Sequence, residues 1–454
     1  MAGKGFSHEP VFVDKISTKY RTIKTEIPVP ESIPLLKKMY SLESRAMHGQ
    51  IPVIWDRAEE YQIYDAWGNV WLDFTSTIFV ANSGHGNKKI IESLKKVLNK
   101  PLLHTYTYAS KERIDYLDFL IKNTPKQFEK AFLVSAGTEA TEAALKLMRL
   151  NGKKEGKRKG GIVAINGNWH GRTMGAQMMS GNLEQKKWIG YEDPNIHHIN
   201  FPYPWETVNP EEFFVSEIEK LIQEKGIDPK KDLCGFILET FQGWGAVFYP
   251  QGFVKELDKF AKKNDILITF DEMQSGFGRT GKLFGYEHYA VEPDVLCCGK
   301  GASSGLPLAI VLGSQEIMDL PDIGSMSSTH SANPLVSVAG KQNLDALLND
   351  GLIDNSRILG DIFHNELHNL QKKYPNHLKY IQGKGLLAAL IFMNNENEPL
   401  SSLCDKISEK AFQKGLLVVH TGRESIKLAP PLSICEEALL EGLRVLDECI
   451  EESI

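Results

Sequence analysis

Six short runs of apolar residues, spaced through the middle of the chain, constrain the fold more than any other feature. They are "AFLVS" (131–135), "GIVAING" (161–167), "GFILETF" (235–241), "ILITFDE" (266–272), "DVLCCGK" (294–300) and "LAIVLG" (308–313). Most are continuously apolar rather than alternating, which suits strands buried on both faces. The stretches between them, such as 252–263, repeat apolar residues at helical spacing. That alternation predicts an α/β unit with a mainly parallel sheet over 76–335. At 454 residues the chain exceeds one core. Helical patterns at 335–349, 351–373 and 401–415, short strands near "GKGLLAALIF" and "GLLVVH", and a final helix "EEALLEGLRVLDECIEE" predict a separate α+β unit over 336–454. Residues 1–75, with "YQIYDAWGNVWLDF" as a hairpin turning at Trp67-Gly68-Asn69, are expected to pack with it.

Parallel sheets bind ligands at the carboxyl ends of their strands, so the residues just past each run are read together. Lys300 ends "DVLCCGK" between two glycines. A strand-end lysine is often simply solvated; a desolvated one has a lowered pKa and becomes a usable nucleophile and base. Flanking Gly299 and Gly301 would leave room for a cofactor. Asp271 ends "ILITF" with Glu272 and Gln274 behind it. It is either a solvated strand end or a carboxylate held for a cationic ring nitrogen, since burial without a partner is costly. Trp169 and His170 follow "GIVAING" in "NWHGRT", and Trp169 is either core filler or a ring for a flat cofactor. After "AFLVS", Ala140, Ala144, Leu147 and Met148 share a helical face, so Gly137 and Thr138 open a helix. That end is either an ordinary cap made by Ser135 or Thr138, or an anion site. Taken together, a phosphate cradle, a stacking ring, a carboxylate and a lysine amine match the needs of pyridoxal phosphate.

The chain resembles the class III (ω-amino acid) aminotransferases of pyridoxal-phosphate fold type I. "FDEMQSGFGRTGKLFGYEHYAVEPDVLCCGKGASSGLPLA" (270–309) carries the family signature. "WLDFTSTIFVANSGHGN", "SAGTEATEAALKL", "NWHGRT", "ETFQG", "STHSANPL" and "IKLAPPL" extend the likeness over nearly the whole chain. The resemblance implies a large domain with a seven-stranded, mainly parallel sheet and a smaller α+β domain from both termini. It implies that Lys300 holds the cofactor and shuttles a proton, that Asp271 pairs with the pyridine nitrogen, and that Gln274 meets the phenolic oxygen. Trp169 would stack on the ring, as in decarboxylating members, with His170 beside it. Gly137 and Thr138 would bind the phosphate, Glu239 would lie near the cofactor, and Thr329 would reach the neighbouring subunit's phosphate in an obligate homodimer. Three positions depart from the family. Trp244 replaces a glutamate that gates an arginine, Lys427 replaces the arginine that grips a carboxylate, and Thr77 replaces a glycine. Lys427, Arg423, Trp244 and Phe79 form the expected substrate side.

The implied activity is amino transfer from an amine, ω-amino or amino acid donor to a 2-oxo acid, pyruvate or 2-oxoglutarate. A decarboxylase-transaminase, racemase or aminomutase on the same scaffold is the alternative. A nicotinamide dehydrogenase would need G-x-G-x-x-G after the first strand, which "VSAGTEA" does not supply, and no Walker motif occurs. A non-catalytic scaffold would not need Lys300, Asp271 and Gln274 together. His85, His104, His170, His197 and His198 lack metal-ligand spacing, so no metal is expected. A net charge of -6 argues against nucleic acid as a partner, and no apolar run is long enough to span a membrane. The start, "MAGKGFSHEPVFVDKISTKYR", has no apolar core, and the six cysteines form no C-x-x-C pair, which together point to the cytoplasm and against a disulfide framework.

Overall fold

The computed structural model describes residues 5–49 and 51–454; the first residues of the N-terminal stretch lie outside that range. The six apolar runs become strands of one seven-stranded sheet. In chain order these are β1 (Lys130–Val134), β2 (Gly161–Ile165), β3 (Ile196–Ile199), β4 (Leu233–Glu239), β5 (Leu267–Asp271), β6 (Val295–Cys298) and β7 (Ala309–Gly313). Their order across the sheet is β1-β7-β6-β5-β4-β2-β3. Every residue of β2, β4, β6 and β7 is buried, as continuous apolar runs require. Pairing is parallel except around β7, which runs antiparallel to β1 and β6. The remaining strand, β3, reads Ile-His-His-Ile at the sheet's edge.

Register sets the functional geometry. Asp271 at the end of β5 stands opposite Glu239 of β4 and Cys297 of β6. The carboxyl ends of these neighbouring strands are therefore level. The helix α1 (Gly137–Lys154) leaves β1 at the same edge.

The two ends of the chain meet in a second sheet. Gln62–Tyr64 and Val70–Asp73 form the expected hairpin, with Gly68 at a φ of 88° and Asp65 accepting from the Trp67 and Asn69 amides at 2.9 and 2.8 Å. Leu416–Leu417 then pairs in parallel with Leu72–Asp73. Trp71 is fully buried, donates to the Phe412 carbonyl at 2.9 Å and stacks on the Phe412 ring. All six cysteines are free thiols. No described helix is long and apolar enough to cross a membrane.

Directly after this hairpin the backbone does something the sequence does not announce. Ser76, Thr77, Ile78 and Phe79 all have left-handed backbones, with φ of 46°, 52°, 62° and 69°. Each such residue costs an L-amino acid about 1–2 kcal/mol. Arg279, buried on all sides, holds the turn from within. Its guanidinium donates to Ser76 Oγ at 3.1 Å, Asn82 Oδ1 at 2.8 Å, the Leu386 carbonyl at 3.1 Å and the Pro430 carbonyl. Ser76 passes its own hydrogen on to the Ala429 carbonyl at 2.6 Å.

Candidate active site

Asp271 is buried with both oxygens engaged. Oδ1 accepts the Met273 amide at 3.1 Å, and Oδ2 lies 2.9 Å from Nδ1 of His170. Facing a carboxylate, that nitrogen carries the hydrogen. His170 is itself buried. Its amide donates to Ser180 Oγ at 2.8 Å, its carbonyl accepts from the Thr141 hydroxyl at 2.7 Å, and its Nε2 has no partner. The ring is therefore fixed from both ends of its backbone and oriented onto Asp271.

Glu239 ties three further residues together. Its Oε2 accepts the amides of Trp169 at 3.0 Å and Gly243 at 3.1 Å, and its Oε1 accepts from the Gln274 amide at 3.1 Å. Burial, with the nearby Asp271 charge, pushes its pKa up to about 7. Trp169 is half-buried, and the Arg172 guanidinium covers one face of its ring at 4.8 Å.

Lys300 follows β6 at this level. Its backbone is left-handed, with a φ of 43°, and no described side chain or carbonyl pairs with its amine. Burial holds its pKa below that of an ordinary lysine, partly offset by Asp271 and Glu239. The flanking glycines sit close against protein neighbours. A Cβ on Gly299 would come within 2.5 Å of Met273 Sδ, and one on Gly301 within 2.3 Å of Asn82 Nδ2. The glycines make room for protein neighbours.

At the start of α1 the expected Ser135 or Thr138 cap is absent. Ala136 holds the N-cap position, and the Glu139 carboxylate accepts the Ser135 and Ala136 amides at 2.7 and 3.0 Å. The Gly137 and Thr138 amides have no acceptor among the described residues. The Thr138 hydroxyl meets that of Thr173 at 2.5 Å. Thr329 is exposed; its carbonyl accepts from His104 at 2.7 Å, and its neighbour Ser328 reaches Glu139 at 3.2 Å.

The substrate-side residues divide. Lys427 is 6% exposed and donates to the Gly243 carbonyl at 2.7 Å and to Gln274 Oε1 at 3.0 Å, with the buried Phe79 ring 4.6 Å from its amine. Arg423 is exposed in the turn before that strand, stacked on Trp244 at 4.0 Å and paired with Glu424 at 2.8 Å. Trp244 donates to Gln242 Oε1 at 2.6 Å. A cavity of about 820 Å³ beside β3, lined by Lys186, His198 and Glu217 among others, contains none of these residues.

A family model described as "Aminotransferase class-III" matches residues 44–450. The chain belongs to the class-III aminotransferases. This aminotransferase is 31% identical over 406 residues to the mitochondrial acetylornithine aminotransferase of Saccharomyces cerevisiae, covering 87% of this chain and 90% of that protein. It is 27% identical over 464 residues to an alanine/serine racemase of Pyrococcus horikoshii, covering 99% and 96%. Among solved structures, a thermostable (S)-enantioselective omega-transaminase from Thermomicrobium roseum superposes with a TM-score of 0.82 at 27% identity, over 92% of this chain and 97% of that one. The aminotransferase thus has pyridoxal-phosphate fold type I, and its cofactor is pyridoxal phosphate.

Sequence reasoning on the aminotransferase missed two contacts. Nothing in the local pattern pairs Gln274 with Lys427, because the partners are far apart in sequence. Arg279 lies inside the quoted signature without a role, although an arginine between two small-residue turns in an apolar neighbourhood is itself a hint of burial.

Proposed function

We propose that Lys300 carries the cofactor on its amine and moves the proton between the two reacting carbons. The observation that bears most weight is the pairing of an unpartnered, pKa-lowered amine with the buried Asp271–His170 couple at level strand ends. When bound, pyridoxal phosphate supplies an electron sink for the carbanion formed at the substrate carbon. The residues present suit it: the acceptor-free Gly137 and Thr138 amides at α1 fit a phosphate, and Asp271, oriented by His170, fits a protonated ring nitrogen. Trp169, with one face already covered by Arg172, is assigned to stack on the ring. Gln274 is assigned to the phenolic oxygen, and Glu239 keeps Trp169 and Gln274 in place without touching the cofactor.

The substrates are an amine, ω-amino or amino acid donor and a 2-oxo acid acceptor. Lys427 is assigned to the acceptor carboxylate, and its burial beside Gln274 favours it over the exposed, ion-paired Arg423. Phe79 and Trp244 make that side apolar, which suits a donor with a sizeable, weakly polar body. A panel of amine, ω-amino and amino acid donors, each tested with pyruvate and with 2-oxoglutarate while carbon dioxide is monitored, checks this. The expected result is product amino acid in step with donor loss and no gas. Racemisation is the second reading, because the alanine/serine racemase matches nearly end to end. Loss of optical activity in a single amino acid without any acceptor would favour it.

The working unit is proposed to be a cytoplasmic homodimer, with Thr329 presented to the partner's phosphate site. Residues 76–335 would form the cofactor-binding unit, with 1–75 and 336–454 forming the smaller one. Support for the dimer comes from the exposed apolar side chains Leu102, Leu103, Tyr106 and Tyr108, on the segment that His104 fastens to Thr329. Sedimentation of the holoenzyme should give twice the chain mass, and Tyr108→Asp should shift it toward monomer with loss of activity. A fully active monomer would contradict this.

A further inference from the structure

Lys427 is a buried amine that no described carboxylate contacts directly. Its partners, the Gly243 carbonyl and the Gln274 amide oxygen, are neutral, and its third neighbour is the Phe79 ring. It forms no ion pair among the described residues. The charged groups around it do not change this. Glu239 on β4 attracts it from behind Gln274 without touching it, while Lys300 beyond β6 repels it. Arg423 and Glu424, in the turn before its own strand, neutralise each other. A buried unpaired charge is expensive. An arginine there would have to bear that cost, since it keeps its proton; a lysine can shed it.

We propose that Lys427 binds the substrate carboxylate by proton-coupled capture: its amine takes a proton from solvent as the carboxylate arrives, and stands neutral when a group without charge fills the same space. The proposal rests on the assignment of Lys427 to the carboxylate. The proton ends on Nζ and the carboxylate stays anionic, so no other reactant is needed. One side chain then serves both halves of the reaction. It is an ammonium for the 2-oxo acid and an uncharged amine beside Phe79 for a weakly polar donor, with no side chain having to move. Burial lowers the Lys427 pKa to about 7, with the Glu239 charge opposing that shift and the Lys300 charge adding to it, which puts the switch in the physiological range.

The test is calorimetric titration of the holoenzyme with pentanoate, which has no amino or oxo group to react, in buffers of different ionisation enthalpy. The visible band, recorded in parallel, reports any proton taken by the cofactor itself. Wild type should take up about one proton per pentanoate near pH 8.5 and almost none near pH 6, with affinity falling about tenfold per pH unit above 7. Lys427→Arg, always charged, should bind without uptake and without that slope. Uptake that persists in Lys427→Arg would give the proton to Glu239 or the cofactor and overturn the proposal. So would wild-type binding at both pH values without uptake. If Lys427→Arg does not fold, Lys427→Met decides: weak, pH-independent binding supports the proposal, and a retained slope overturns it. Wild-type affinity in Lys427→Met would instead overturn the carboxylate assignment beneath it.

Discussion

Lys300→Ala is expected to fold, to hold cofactor only without a covalent bond, and to lose turnover by about 10⁴-fold or more. The amine makes no hydrogen bond or ion pair among the described residues, so its removal strips none of them of a partner and should alter stability by less than about 1 kcal/mol. The catalytic loss is large because one atom serves twice, as the point of attachment and as the base. Asp271, His170 and the α1 amides remain, so affinity for the cofactor should persist. The visible band of wild type should vanish on borohydride treatment with permanent attachment at residue 300, and the variant's cofactor should dialyse away. Near-normal turnover in the purified variant would remove Lys300 from the mechanism.

Arg279→Leu is expected to cause the largest loss of stability. The guanidinium joins four segments: the left-handed turn at Ser76, Asn82 beyond it, and the carbonyls of Leu386 and Pro430. Leucine would leave two buried carbonyls and the Asn82 amide oxygen without donors while the strained turn loses its clamp. Breaking a buried hydrogen-bonded charge costs about 3–5 kcal/mol, a large share of the roughly 5–15 kcal/mol that keeps a protein folded. Denaturant unfolding at constant m-value measures it. The turn also carries Phe79 to Lys427, so any variant that folds should bind the acceptor less well while keeping a normal visible band. A loss below about 1 kcal/mol would show that the joint is held by packing alone.

Much of this was legible in the sequence because burial on both faces leaves a plain mark. Six strands, and the strand ends at Asp271 and Lys300, follow from continuous apolar runs. The seventh strand did not announce itself, because Ile-His-His-Ile at an edge buries alternate residues only. The left-handed turn was invisible for the opposite reason. Thr-Ser-Thr-Ile-Phe is rich in residues that resist positive φ, and Thr77, with a φ of 52°, stands where relatives in the family commonly have glycine. What overrides local preference there is Arg279, two hundred residues away. The contact of Lys427 with Gln274 was hidden in the same way. The resemblance supplied the expected carboxylate position, but only the structure shows that its amine forms no ion pair among the described residues.

The parallel pairing of Leu416–Leu417 with Leu72–Asp73 imposes a timetable on biosynthesis. The strand that completes the N-terminal sheet is made some 340 residues after the strand it joins, about 20 to 70 seconds later at ordinary ribosomal speeds. Throughout that interval Trp71 and Leu72 lack the neighbours from 412–417 that later bury them, and Arg279, once made, waits first for the Leu386 carbonyl and then for that of Pro430. The central sheet can close on the ribosome first, whereas the two-ended unit must wait until residues 416–417 emerge. A nascent chain halted before residue 412 would therefore expose a sticky hairpin, a natural client for a chaperone.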